Sequence, residues 1–373
     1  MQNIRWGIIG CGDVCEVKSG PAFSKIPGSC LQAVMRRSAD KAADYARRHN
    51  VPRFYTDAGQ LINDPEVDIV YIATPPGSHA DYALRVCKAG KPAYVEKPMA
   101  RNAAECEVML RAFQQAGLPL FVAYYRRCLP RFLQVRDWLA AGAIGELTHI
   151  NYRFTASRRK LTEPASLPWR LEVEQSGGGL FLDLGSHTLD ILDYIFGPLE
   201  QVVGDASGLA TSRAVEEVVT MQFRVPGGAL GSASWNFAGP CHEDSIEISG
   251  SSGRITLSCF GNEPVRLENQ DGVQFVERPN PPHIQQPLIQ TIVNALRQQG
   301  TCPSTGASAL RTSRVMDTVL DRYYGGRADA FWSRPSTWGK HKGARSIHSK
   351  CLDINQLCLK MARKGVLKAA FAI

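Results

Sequence analysis

The sequence has no apolar run long enough to cross a bilayer. Its longest, such as Ile69–Ala73, fall far short of the roughly 20 residues a spanning helix needs, so no membrane partner is expected. A secretory signal is also missing: the N-terminus goes directly into a strand-like run, Ile4–Ile9, which points to the cytoplasm. There is no CxxC, and the eleven cysteines are odd in number and scattered. Cys11, Cys30, Cys87 and Cys106 fall in segments that read as core, so buried thiols are expected rather than disulfides or a metal centre. Most of the chain also lacks net charge. The formal +8 belongs to residues 333–373, with nine Lys and Arg against one acid, Asp353, leaving 34 basic and 34 acidic side chains in the rest. A neutral body offers no nucleic-acid surface.

What is present suits a two-domain globular chain, with 373 residues, 44% hydrophobic and 21% charged. Over residues 1–123, apolar runs (Arg5–Ile9, Leu31–Met35, Val67–Ala73, Ala93–Val95, Leu120–Ala123) alternate with helical patterns (Asp40–His49, Gly77–Ala89, Asn102–Ala116). Strands alternating with helices at this spacing predict an α/β dinucleotide-binding (Rossmann) domain with a doubly wound parallel sheet. Residues 124–332 read differently. A helix over Pro130–Ala141 precedes an alternating run, Glu146–Thr155, and the triple glycine Gly177–Gly179 leads into an apolar helix ending near Phe196. Short alternating runs then fill Gln201–Val276, punctuated by turn signals at Pro226–Gly228, Gly250–Gly253 and Asp271–Gly272. Two helices follow, near His283–Gln298 and Ala307–Tyr323. This predicts an α+β domain with a large, open, mainly antiparallel sheet. Residues 333–373 read as a basic tail, with one amphipathic helix possible over Leu352–Val366.

The turn Gly10-Cys11-Gly12-Asp13-Val14 lies where the first strand passes into a helix. Gly10 and Gly12 permit a tight turn and let a pyrophosphate approach the backbone, while the helix start offers unpaired N–H groups. Cys15 stands where the usual fingerprint has a third glycine or alanine, and it is small enough for packing to survive. At the end of the second strand, a carboxylate would accept the ribose 2′-hydroxyl of NAD and repel a 2′-phosphate. Arg36, Arg37 and Ser38 stand there instead, donors suited to a phosphate, so NADP(H) is favoured over NAD(H).

Beyond this turn the chain carries Ala73-Thr74-Pro75-Pro76 with His79, Glu96-Lys97-Pro98, and Gly177-Gly178-Gly179 followed by Asp183 and His187. With these motifs, residues 1 to about 330 resemble the Gfo/Idh/MocA oxidoreductases (glucose–fructose oxidoreductase, inositol dehydrogenase and their kin). The resemblance implies NAD(P)-linked hydride transfer at one carbinol carbon of a sugar, cyclitol or related polyol. It also implies a cis Lys97–Pro98 bond and a homo-oligomer, dimer or tetramer, formed through the open sheet.

Such chemistry requires a base for the hydroxyl proton and a cation for the developing alkoxide. His187 is assigned as general acid/base and Lys97 as donor to the substrate oxygen. Asp183, four residues before His187, would orient and tune the imidazole from one helix face. Thr74, Pro75, His79, Glu96, Arg127, Trp169 and Arg170 match family segments that line the cofactor or substrate. Tyr125 and Cys128 depart from the family's Tyr-Asn-Arg-Arg-Phe pattern, which weakens the cofactor contacts implied there. Substrate choice would come from loops such as Arg158–Trp169. Two other functions fit the same fold: a non-catalytic dinucleotide-binding regulator, which would not need Lys97, Asp183 and His187, and an enzyme acting on aromatic dihydrodiols.

Overall fold

The computed structural model describes residues 3–157, 169–208 and 215–339. Six strands, β1 (Ile4–Ile9), β2 (Ser29–Met35), β3 (Arg53–Tyr55), β4 (Ile69–Ile72), β5 (Ala93–Val95) and β6 (Leu120–Val122), form one sheet in the order β3-β2-β1-β4-β5-β6. Every neighbouring pair is parallel. All residues of β4 and β5 are buried, as befits strands covered by helices on both faces. Ala42, Tyr45 and Ala46 turn one side of helix Ala39–Arg48 to the core, and the Asn102 side chain caps helix Ala103–Gln115 through the Glu105 amide at 2.9 Å. The strand β3 went unread in the sequence because its three residues are too few to show alternation.

The second sheet has eight strands in the order β14-β13-β12-β11-β7-β10-β9-β8. They are β7 (Leu147–Ser157), β8 (Glu200–Ser207), β9 (Val218–Arg224), β10 (Leu230–Gly239), β11 (Glu243–Gly250), β12 (Gly253–Leu257), β13 (Val265–Asn269) and β14 (Gly272–Val276). All pairings are antiparallel except β7 with β10. Alternation along β10 buries Ala233, Trp235 and Phe237 on the face that carries the helices. The other face leaves Val203, Leu230, Val273 and Phe275 exposed.

The last helices run Gln286–Leu296 and Gly306–Tyr324, the second opened by a reciprocal Thr305–Ser308 cap. The second also returns the chain to the first sheet, where Thr305 bridges Phe121 and Ser304 Oγ donates to the Val122 carbonyl at 2.7 Å. The basic tail expected from Ser333 begins later. Thr337 Oγ1 donates to the Tyr324 carbonyl, Gly339 N to that of Tyr323, and the Trp338 ring meets Tyr324 edge-on at 5.5 Å. The described residues up to Gly339 therefore form one compact unit. Residues 340–373, including Leu352–Val366, and residues 158–168 of the expected specificity loop lie outside the described residues. Among those described, no helix is long and apolar enough to cross a membrane.

Candidate active site

The carboxyl ends of β1, β2, β4 and β5 carry Gly10–Val14, Arg36–Ser38, Thr74–His79 and Glu96–Lys97, the edge of such a sheet at which ligands bind. Gly10 has φ +86°, and a Cβ there would lie 2.7 Å from Thr74 Cγ2, so no other residue fits without strain. Its N–H donates to the Met35 carbonyl at 3.0 Å, closing the turn against β2. At Gly12 a Cβ would meet nothing nearer than the Gly10 carbonyl, 3.9 Å away, which leaves the room a pyrophosphate needs. Asp13 and Val14 open the short helix Asp13–Val17. Cys15 is fully buried in the third-glycine position, its carbonyl accepting from Tyr45 Oη at 3.0 Å, so helix–strand packing is closed as expected. Burial pushes the neighbouring Cys11 thiol up to about 11, outweighing Arg36, and keeps it protonated beside the turn. Arg36 is half-buried, while Arg37 and Ser38 are exposed; neither guanidinium is engaged by a described residue.

Lys97 lies two residues past the end of β5, and its bond to Pro98 is cis, as the resemblance implies. Its Nζ donates to Asp183 Oδ1 and, at 2.8 Å, to the Asp183 carbonyl. An ammonium has three N–H groups, so one remains for a substrate oxygen. The other carboxylate oxygen of Asp183 accepts from Arg170 Nε at 3.2 Å, and that guanidinium lies 4.4 Å over the Trp169 ring. Burial alone would raise the Asp183 carboxyl, but the charges of Lys97 and Arg170 outweigh it and hold the group below its ordinary value. Asp183 shares one cleft with Pro76, Pro98, Trp169 and Arg170.

The Asp183–His187 pairing read from their spacing does not form. Residues Phe181–Gly185 make a π-turn, which shifts the helical phase before the regular helix Ser186–Phe196 begins. Asp183 thereby turns to Lys97, and His187 stands apart. Its Nδ1 is buried without a hydrogen-bond partner, and its ring is surrounded by Tyr124, Tyr125 and Phe260, with centroids 6.2, 5.2 and 6.1 Å away. Burial, then the charges of Arg126, Lys97 and Lys18, push the imidazole well below its ordinary value, so it is neutral. A neutral imidazole is the form that accepts a proton.

Three predicted cofactor contacts have other duties. Both ring nitrogens of His79 face backbone carbonyls: Nε2 that of Thr74 at 2.7 Å, Nδ1 those of Pro98 and Met99 at 3.1 and 3.3 Å. It braces the Thr74–Pro75 loop against the Lys97–Pro98 loop. Glu96 points into the core, where Oε1 accepts from Tyr71 Oη at 2.5 Å and Gln285 Nε2 at 2.6 Å, and Oε2 from the Lys97 amide at 3.1 Å. Arg127 binds both oxygens of Asp190, at 2.7 and 2.8 Å, and Asp193 at 3.1 Å, all buried. It fixes the helix that carries His187.

Two family models fit the chain: an oxidoreductase family with an NAD-binding Rossmann fold over residues 4–124, and the GFO/IDH/MocA C-terminal domain over residues 132–256. An oxidoreductase of Formosa agariphila is 35% identical over 317 residues, covering 85% of this chain and 98% of that protein. This chain belongs to the Gfo/Idh/MocA oxidoreductases. A further relative, trans-1,2-dihydrobenzene-1,2-diol dehydrogenase of Mus musculus, is 32% identical over 61% of this chain and 67% of its own. The solved structure of levoglucosan dehydrogenase in complex with NADH and L-sorbose superimposes with a TM-score of 0.77 at 22% identity, over 87% of this chain and 97% of that one. At that identity the likeness speaks for the fold. In this Gfo/Idh/MocA protein the sequence reading missed Gln285, fully buried and 189 residues from Glu96, because no local pattern links them. It missed Lys18 and Arg126 as well, whose only signal was positive charge beside motif residues.

Proposed function

We propose that this oxidoreductase uses NADP(H) to interconvert a carbinol and a carbonyl on a sugar-like polyol, with His187 as general acid/base and Lys97 as donor to the reacting oxygen. The observation that carries it is the pairing of an ion-paired Lys97, with one N–H to spare, and a buried, neutral His187 close enough to feel the Lys97 charge. Bound nicotinamide supplies the hydride exchange. In the oxidation direction, His187 takes the hydroxyl proton, and Lys97 stabilises the alkoxide as it forms. Asp183 holds Lys97 at the strand end, and Arg170 shares its charge. In this reading, residues 1–123 hold the cofactor and 124–332 the substrate, in a cytoplasmic enzyme. Expected dinucleotide contacts are Gly10, Gly12, Asp13, Val14, Thr74, Pro75 and Trp169.

Arg36, Arg37 and Ser38 support the choice of NADP(H). Charge-assisted bonds to a 2′-phosphate are worth about 1–3 kcal/mol, roughly 5- to 150-fold in affinity. Fluorescence titration is expected to show NADPH binding tighter than NADH by that margin, and Arg36→Glu to reverse the order. Equal affinities in the parent protein would contradict it. The exposed Val203, Leu230, Val273 and Phe275 support assembly through the open sheet. Light scattering is expected to give the mass of a dimer or tetramer; a monomer would refute that part.

A further inference from the structure

Arg126 sits in the single turn after β6, Tyr125–Cys128, and is 95% buried, at 5% exposure. Its neighbour Arg127 is answered by two carboxylates. Arg126 has none: Nε donates to the Cys259 carbonyl at 3.1 Å, and Nη1 is buried without any partner. Its side chain also hydrogen-bonds that of Tyr125, and the Phe260 and Tyr125 rings lie 4.5 and 5.1 Å from the guanidinium. Those same rings flank His187, whose Nδ1 is also buried without a partner, as is Oη of the adjacent Tyr124. A buried guanidinium is stable when an anion or a full set of acceptors meets it, and among the described residues neither is supplied. The surplus is general around His187. Arg126, Lys97 and Lys18 all act on the imidazole, and the carboxylate of Asp183 is already shared between Lys97 and Arg170.

We propose that Arg126 receives a carboxylate carried by the substrate, so that the polyol this enzyme acts on is a sugar acid, of the uronate or aldonate class. Because Arg126 and His187 flank the same two rings, the carboxylate lies within a few bonds of the reacting carbinol. A guanidinium presents parallel N–H groups that match a carboxylate, and removal from water strengthens the contact. The inference rests on the reading of Lys97 and His187 as the reacting centre, and it adds a specificity-determining residue to them.

The test uses the full-length protein saturated with NADPH, takes probes that carry no free carbonyl for it to reduce, and measures binding calorimetrically. Methyl β-D-glucuronoside and D-gluconate are the acidic probes, with methyl β-D-glucoside and D-glucitol as their neutral counterparts. At least one acid is expected to bind ten-fold or more tighter than its neutral partner. In Arg126→Gln that ratio is expected to fall to within about two-fold, and Arg126→Lys, which keeps the charge, should recover part of it. Unchanged NADPH affinity and thermal midpoint show that each variant is folded. If neutral and acidic probes bind alike, or neither binds, or the acid preference survives in Arg126→Gln, the inference fails while the hydride-transfer reading stands. Failure of the parent protein to bind NADPH or NADH overturns both.

Discussion

Replacing His187 with Asn or Lys97 with Met is expected to lower turnover by about 10²–10⁴-fold, with NADPH still bound. The two residues are asked for different things, and the kinetics separate them. His187→Asn removes the proton acceptor but leaves the Lys97–Asp183 pair intact, so substrate still docks. Lys97→Met removes the donor to the oxygen and leaves Asp183 to Arg170 alone. It also removes one of the charges that lower the imidazole. The pH dependence follows with a definite sign. A histidine pKa held below its ordinary value keeps the base neutral as pH falls through the ordinary histidine range. Oxidation by the parent enzyme should therefore decline only below that range, and the acid limb of kcat/KM in Lys97→Met should move to higher pH. Near-parental rates in both variants would place the chemistry elsewhere.

The second large effect concerns the frame beneath His187. Asp190→Asn leaves the Arg127 guanidinium, 3% exposed, short of its main counter-charge. Breaking a buried pair in this way costs about 3–5 kcal/mol, far more than an exposed pair is worth. The same cluster extends through Asp193 to Arg311 on helix Gly306–Tyr324, so three separate chain segments depend on it. A large fall in thermal midpoint is expected for Asp190→Asn. The double replacement Arg127→Met with Asp190→Leu, which removes both charges together, should recover much of the loss. A single mutant within about 1 kcal/mol of the parent would show that the cluster is relaxed by other means.

The pair Arg127–Asp190 also marks the limit of reading from sequence. The parallel sheet, the glycine turn, Lys97 at its strand end and the open second sheet were legible, because each is written in local periodicity or a short motif. The partners were not. Asp183 and His187 are four apart, and an α-helix would have stacked them, but the π-turn at Phe181–Gly185 redirected Asp183 to Lys97. His79 and Arg127 matched family segments that line a cofactor, yet their polar atoms meet backbone carbonyls and buried carboxylates. Glu96 reads like part of the site because it adjoins Lys97, yet its carboxylate is buried and accepts from Tyr71 and Gln285. Long-range pairing is fixed by topology, to which no single stretch of sequence has access.

The most direct test of hydride transfer is the near-ultraviolet absorbance of reduced nicotinamide. The protein is incubated with NADP⁺ and a panel of neutral and acidic sugars and polyols, beside His187→Asn under the same conditions. The account predicts growth of that absorbance with at least one panel member in the parent protein, and its near-complete loss in the variant. Tight NADP⁺ binding with no reduction by any member would contradict it, and would favour a dinucleotide-binding regulator built on the same fold.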